Sequence, residues 1–294
     1  MRGWAIVVRN IIQDVGPIRV LQILLAERTG QPFPRVPEPE LVMADAKTVE
    51  AYTTAALETG ALAPVYQLHL ERISALLPPP GGRVVDLACG TGELLVTLAG
   101  LYPEIQFVGV DLSETMLSKA REASSTRGLR NVRWVREDIS TLSGFEDGCA
   151  DLVISTEALH HLPTLGLLQD TLRQVDRLLS EGGRIYLFDF GRMRSLRSVG
   201  LLVGQQAGSQ HPLLVRDYEA SLKAAFSVEE WQSALAALRR ARYRLSMPLG
   251  TPFVISVRSP VPERAAPVAE ALLRRRRKLA LKLRLDYWQL RMFT

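Results

Sequence analysis

Val84-Val85-Asp86-Leu87-Ala88-Cys89-Gly90-Thr91-Gly92 is the stretch on which the fold turns. An apolar, β-branched run that meets glycines reads as a buried strand ending in a tight loop, and from Glu93 the apolar spacing becomes helical. Glycines at 90 and 92 let the backbone bend sharply and approach a ligand that a side chain would push away. Working outward, strands are expected at Arg83 to Leu87, Gln106 to Asp111, Val132 to Glu137, Asp151 to Thr156 and Arg184 to Phe190. Helical segments alternate with them around Glu93 to Leu101, Glu114 to Ser125 and Leu165 to Leu179, the pattern of βαβ units and a parallel sheet.

Gly182-Gly183 reads as the stop between the last of these helices and the fifth strand. Ser227 and Glu230 have capping-box spacing for a helix through Leu238. Tyr243 to Leu249 and Phe253 to Ser259 flank Gly250-Thr251-Pro252, a hairpin that would set an antiparallel strand in the sheet. The expected class is α/β: a Rossmann-like, doubly wound, mostly parallel seven-stranded sheet with an antiparallel last strand. Around it the expected organisation is a helical cap over residues 1–80, a core over 81–259 with a lid insertion at about 191–226, and a basic helical tail over 260–294.

With 294 residues, 47% of them hydrophobic and 23% charged, the chain has the composition of a soluble globular protein. Its net charge of +5 sits in the tail, where residues 260–294 hold nine basic and three acidic side chains; the remaining 27 basic and 28 acidic residues nearly cancel. Two cysteines, Cys89 and Cys149, give no disulfide framework, and no CxxC or His-rich cluster has zinc spacing, so no metal is expected. The apolar opening from Trp4 to Val8 is interrupted by Arg9 and Asp14, well short of the roughly 18 residues of a membrane span. Neither secretion nor a transmembrane anchor is predicted, and the expected compartment is the cytoplasm.

Asp111 closes the second strand 19 residues after Gly92, where nucleotide-binding α/β folds place an acid for ribose hydroxyls. A dinucleotide fingerprint then fails, because Leu95 stands where that pattern wants glycine or alanine. Val-Asp-Leu-Ala-Cys-Gly-Thr-Gly at 85–92 resembles instead the first motif of class I S-adenosylmethionine-dependent methyltransferases. Val-Gly-Val-Asp-Leu-Ser at 108–113, Glu-Asp-Ile at 137–139, Asp-Leu-Val-Ile-Ser-Thr at 151–156 and Leu-Leu-Ser-Glu-Gly-Gly at 178–183 are similar to its later motifs, in order. The His-His-Leu after the fourth strand resembles the broad group that includes quinone-biosynthesis and small-molecule methyltransferases.

The resemblance implies S-adenosylmethionine as cofactor and S-adenosylhomocysteine as product. It implies that Asp86 and the backbone of Ala88, Cys89, Gly90 and Gly92 surround the methionine portion, and that Asp111 holds the ribose. Leu112 and Met116 would sandwich the adenine, Asp138 would accept from its amine with Ile139 nearby, and Thr156 and Glu157 would border the methyl group, with Tyr66 closing the pocket. Taken singly, Leu112, Met116 and Ile139 read as core residues; their position beside Asp111 and Asp138 favours binding. Cys89 reads as a small loop residue with no base beside it.

A sulfonium makes its own methyl electrophilic, so positioning dominates, and only a hydroxyl acceptor calls for a base. His160 or His161 is the candidate for that task, with Asp217, Tyr218 and Ser221 of the lid as acceptor contacts. The expected reaction is O-, C- or N-methylation of a small-molecule acceptor in biosynthesis or natural-product tailoring. Two rivals stand beside it: a nucleic-acid methyltransferase contacting phosphates through Arg274 to Lys278, and a cofactor-binding protein that transfers no methyl group. The confinement of basic residues to the tail and an aromatic content of 6% argue against a nucleic-acid partner. The tail reads as a basic helix packing Leu279, Leu281, Leu283 and Trp288 on its own domain or a partner, with contact to an anionic membrane surface as a further use. Trp4 to Ile12 is the candidate surface for a homodimer.

Overall fold

The computed structural model describes residues 17–38, 62–206, 212–248, 251–263 and 268–293. The expected surface at Trp4 to Ile12, residues 39–61 of the expected helical cap and the hairpin tip at Gly250 lie outside them.

In chain order the elements are α1 (Pro17–Thr29), α2 (Ala63–Ser74), β1 (Arg83–Leu87), α3 (Glu93–Leu101), β2 (Gln106–Asp111), α4 (Glu114–Thr126), β3 (Val132–Arg136), β4 (Ala150–Thr156), a 3-10 turn (Leu159–His161) and α5 (Leu165–Leu178). There follow β5 (Leu179–Phe190), α6 (Leu196–Gln206), α7 (Pro212–Ala224), α8 (Val228–Leu235), β6 (Arg244–Ser246), β7 (Val254–Arg258), α9 (Glu270–Lys278) and α10 (Leu281–Phe293). Seven strands form one sheet in the order β3-β2-β1-β4-β5-β7-β6. All pairs from β3 to β5 are parallel, while β7 runs antiparallel to both its neighbours, as expected for the last strand. The order reverses direction between β1 and β4, and in open α/β sheets ligands bind beyond the carboxyl ends of the strands at such a switch point.

Alternation along β1 divides the core. Val85 and Leu87 enter a cluster with Leu168, Leu172 and Val175 of α5 and Trp231 of α8, whereas Val84 packs on the opposite face with Leu95 and Leu98 of α3 and Leu68 and Ile73 of α2. With both faces covered, the middle of β1 is apolar throughout except for Asp86. A third cluster joins Ile23 of α1 to Met193, Val199 and Leu202 around α6 and Leu222 of α7, with Phe33, Phe190 and Tyr218 against it. The described residues of 191–226, read as a lid from sequence, are therefore largely helical and share a core with the N-terminal α1. The α2 helix of the expected 1–80 cap instead lies in the layer flanking the sheet, against the C-terminal α10.

Boundaries differ from expectation at the start of β5. The helix ends at Leu178, and the strand starts at Leu179 opposite Ala150; Gly182, at φ 74°, bridges a register shift before Arg184 meets Leu152. The paired glycines thus make a bulge inside the strand rather than a stop before it. The capping box is present, with the Glu230 N–H donating to Ser227 Oγ at 3.2 Å and the Ser227 N–H to Glu230 Oε2 at 2.7 Å, but its helix ends at Leu235.

Candidate active site

The glycine loop leaves β1 through three residues with left-handed backbone. Ala88 has φ 56°, Gly90 56° and Gly92 71°. A Cβ on Gly92 would stand 2.3 Å from the Trp134 ring, so this position excludes every side chain. A Cβ on Gly90 would meet nothing within 4 Å, so the loop there borders open space. Asp111, at the end of β2, fixes the loop: one carboxylate oxygen accepts from the Gly90 N–H at 2.8 Å and the other from the Ser113 N–H at 2.8 Å.

Asp86 is 3% exposed, and burial, reinforced by the Asp111 charge, pushes its carboxyl well above the usual range. Burial raises Asp111 too, although hydrogen bonds from Ser113 and Gly90 oppose it. Among the described residues neither acid has a Lys or Arg ion pair. Two desolvated carboxyls beside an open glycine loop favour a ligand that is cationic and offers hydrogen-bond donors. The Cys89 thiol is raised by burial, then by Asp86 and Asp111, which removes it as a nucleophile.

The other expected cofactor contacts follow the carboxyl ends of β2, β3 and β4, with Tyr66 on α2. Met116 is buried, with its N–H donating to the capping Ser113 Oγ at 3.3 Å, and Leu112 is half-buried beside Asp111. Ile139 belongs to the main core cluster. Asp138 is exposed and accepts from the Ser140 N–H at 2.8 Å and hydroxyl at 2.7 Å. Thr156 ends β4 in register with Phe188 of β5. Glu157 follows at φ 53°, so adjacent strands β1 and β4 each end in a non-glycine residue with left-handed backbone. Such conformations are costly and concentrate where a side chain must be aimed. Burial, then the charge of Asp189, lifts the Glu157 carboxyl to about 7. The Tyr66 phenol on α2 is raised by burial and next by the charge of Glu157.

The two histidines separate in role. His160 is 2% exposed; its Nδ1 lies 2.6 Å from Asp189 Oδ1, and its N–H donates to Asp189 Oδ2 at 2.9 Å. Asp189 also accepts from the Phe190 N–H at 2.7 Å and is itself 1% exposed. The carboxylate thus holds the ring as the Nδ1–H tautomer and leaves the Nε2 lone pair inward, with no hydrogen-bond partner. His161 packs on His160 with ring centroids 4.2 Å apart, and its Nδ1 is 3.1 Å from Glu38 Oε2. Burial would lower this imidazole, but the hydrogen bond and charge of Glu38 outweigh it and hold it above its ordinary value.

Sequence reasoning missed three of these groups. Asp189 had a signal, an acid alone in the apolar run Tyr186-Leu187-Phe188-Asp189-Phe190. Glu38 and Arg35 had none, lying in a proline-rich stretch. Arg35 donates to four main-chain oxygens, from Nε to Ala224 at 2.5 Å, from Nη1 to Pro163 at 2.6 Å, and from Nη2 to His160 at 2.8 Å and Leu162 at 2.6 Å. Its guanidinium also stacks 3.9 Å from the Phe226 ring. This clamp brings Glu38 over the histidines. Of the lid residues, Ser221 donates to Glu38 Oε1 at 3.0 Å, and Tyr218 packs edge-on against Phe190. Asp217 is half-buried on the same helix.

The Arg-rich tail lies elsewhere, on α2. Arg276 and Arg291 approach the buried Glu71 carboxylate at 2.9 and 3.1 Å, and the Tyr287 hydroxyl donates to it at 2.6 Å. Leu279 and Tyr287 are buried as anchors, whereas Leu281 and Trp288, expected in the packed set, are 67% and 49% exposed. No helix of the described residues is long and apolar enough to cross a membrane.

Residues 84–183 match the family model described as a methyltransferase domain. The chain is 37% identical over 124 residues to YqeM of Bacillus subtilis, covering 42% of this chain and 48% of that protein. It is 29% identical over 168 residues to the 27-O-demethylrifamycin SV methyltransferase of Amycolatopsis mediterranei, covering 56% of each. The chain therefore spans about half the length of these curated relatives. Among solved structures, a SAM-dependent methyltransferase from Aquifex aeolicus superposes with a TM-score of 0.51 at 15% identity, over 75% of this chain and 100% of that one, a likeness of fold.

Proposed function

We propose that residues 84–183, which match the methyltransferase-domain model, form a class I S-adenosylmethionine-dependent methyltransferase domain, and that the chain binds S-adenosylmethionine and transfers its methyl group to a small-molecule acceptor. The observation that carries this reading is the pairing of Asp86 and Asp111, buried without a Lys or Arg counter-ion among the described residues, beside a loop open at Gly90. A ligand with an ammonium, a sulfonium and a ribose diol supplies the positive charge and the donors that this pocket lacks. When bound, the cofactor supplies a methyl carbon already activated by its sulfonium.

The chain's own residues do the rest. Asp111, preset by Gly90 and Ser113, accepts from the ribose hydroxyls; Asp86 and the 88–92 backbone hold the methionine portion. Leu112, Met116 and Ile139 bound the adenine with Asp138 at its amine edge, while Tyr66 and Glu157 close the methyl end. The acceptor enters between the β4 turn and α7, where Tyr218 and Ser221 orient it. His160, locked by Asp189, presents a lone pair that can take a proton from an acceptor hydroxyl. The small-molecule class is supported by the rifamycin-directed name of one relative and by the confinement of the basic residues to a tail that packs on α2. Cys89 and Cys149, both free, fit the expected cytoplasmic setting.

Calorimetry tests the reading. The protein is expected to take up S-adenosylmethionine and S-adenosylhomocysteine, and Asp111→Ala to weaken both by about 100-fold, the loss of charge-assisted hydrogen bonds worth about 3 kcal/mol. Uptake of neither ligand would sink the proposal. Release of S-adenosylhomocysteine in the presence of small hydroxyl, amine or carbon acceptors, but not of RNA, then separates methyl transfer from cofactor binding alone and from the nucleic-acid rival.

A peripheral contact with anionic membranes is supported by exposed Leu281 and Trp288 beside Arg277 and Lys278. Cosedimentation with vesicles containing phosphatidylserine is expected to fall with salt and with Trp288→Ala; equal sedimentation with neutral vesicles would refute it.

A further inference from the structure

We propose that Glu38, His160 and His161 form a binding site for a divalent transition-metal ion. One ligand atom from each of these three side chains lies within 4.8 Å of the other two. The two Glu38 oxygens divide between the rings, Oε2 standing 3.1 Å from His161 Nδ1 and Oε1 3.7 Å from His160 Nε2. Nitrogen and oxygen ligands about 2.0–2.1 Å from a tetrahedral ion stand about 3.3 Å apart, so each carboxylate oxygen lies within a few tenths of an ångström of ligand spacing from one ring, and a small rotation of the carboxylate would set one oxygen against both.

The second observation is independent of the cluster. His160 Nε2 is a buried nitrogen with no hydrogen-bond partner, in a ring whose other nitrogen is held at 2.6 Å by the buried Asp189. A carboxylate behind a histidine fixes the tautomer that exposes the ligating lone pair and raises its basicity, which is how metal-binding histidines are supported. Two further contacts hold Glu38 from behind. Ser221 donates to its Oε1, and Arg35 clamps the segment that carries it. Three protein ligands leave a coordination position for an outside oxygen. Two imidazoles and one carboxylate favour Zn2+, Co2+ or Fe2+ over Mg2+ or Ca2+, which take oxygen ligands.

The sequence gives no sign of the site, because its carboxylate lies more than a hundred residues before the adjacent histidines. On the methyl-transfer reading above, on which this clause alone rests, the open position would receive an acceptor oxygen. A bound ion and a proton compete for the same His160 lone pair, so metal uptake is measured apart from turnover.

The test uses untagged, chelator-treated protein titrated with Co2+ alone and followed by visible absorption, then with Zn2+ as competitor. The expected result is one Co2+ per chain with a visible ligand-field band that Zn2+ abolishes. Glu38→Gln and His161→Asn, each at a partly exposed position, should weaken Co2+ by at least about 100-fold while circular dichroism stays unchanged. Loss of a supporting group costs 10- to 100-fold in metal affinity, so Asp189→Asn should fall in that range. Wild-type protein that takes up no Co2+, or takes it up as tightly as the folded Glu38→Gln/His161→Asn double variant, overturns the proposal. Binding of S-adenosylmethionine by the same sample would show that such a failure belongs to the metal site and not to the cofactor pocket.

Discussion

At the scale of single residues, Glu157 makes a prediction that its neighbours do not. Its carboxyl titrates near 7 because burial and Asp189 disfavour the charge. A sulfonium bound beside it would favour the ionised form, whereas the neutral thioether of the product would not. Affinity for S-adenosylmethionine relative to S-adenosylhomocysteine is therefore expected to rise as pH increases from 5.5 to 8, by up to about tenfold per unit of induced shift. Glu157→Gln should flatten that dependence; a ratio equally pH-dependent in the variant would count against this placement. The same shift bears on stability. A carboxyl raised in the folded state contributes stability that is present below its unfolded value of about 4.3 and is lost as pH rises through about 7. Glu157→Gln should accordingly gain on wild type in thermal melts at pH 8 and not at pH 4.

Elements built from local signals were legible in the sequence, and those built from distant contacts were not. The bounds of β1, α3 and β2 agree with the expected ones because glycine, capping and alternation are all local. The lid helices α6 and α7 escaped notice because their apolar residues face Ile23 and Phe33, which precede them by more than 160 residues. The site divides the same way: the glycine loop, Asp111 and the histidine pair lie in motifs, but the 31–38 segment is recognisable only once folded. Arg35 is the test of that segment. Arg35→Lys keeps the charge but cannot span four oxygens from a planar fork. Loss of this hydrogen-bonding should lower stability by about 2–3 kcal/mol, with a matching fall in melting temperature. A variant that melts with wild type would mean that the clamp adds nothing.

At the scale of the molecule, the C-terminal helices are part of the fold rather than an appendage. Glu71 is 4% exposed and is satisfied by Arg276, Arg291 and Tyr287 from α9 and α10. Truncation at Pro260 would leave that charge unpaired and uncover the α2 face, a loss of about 3–5 kcal/mol for the ion pair alone. The truncated chain is expected to unfold at lower denaturant than wild type, so tail deletion would confound any test of nucleic-acid or membrane contact. Substituting exposed Arg277 and Lys278 by glutamine removes charge without this damage and should leave the urea midpoint unchanged; a shift of the midpoint would mean that these two side chains also support the fold.

The fork of Arg35 also sets a timetable. Its oxygen partners belong to residues 160, 162, 163 and 224, so a growing chain reaches the ribosome exit with this arginine made early and its last partner made nearly two hundred residues afterwards. The loop and acids proposed for the nucleoside all lie before residue 158, so their contacts do not wait for this arginine's last partner. The wall that carries Glu38 has to wait, and a chain halted before Ala224 would lack one of the four oxygens that fix it.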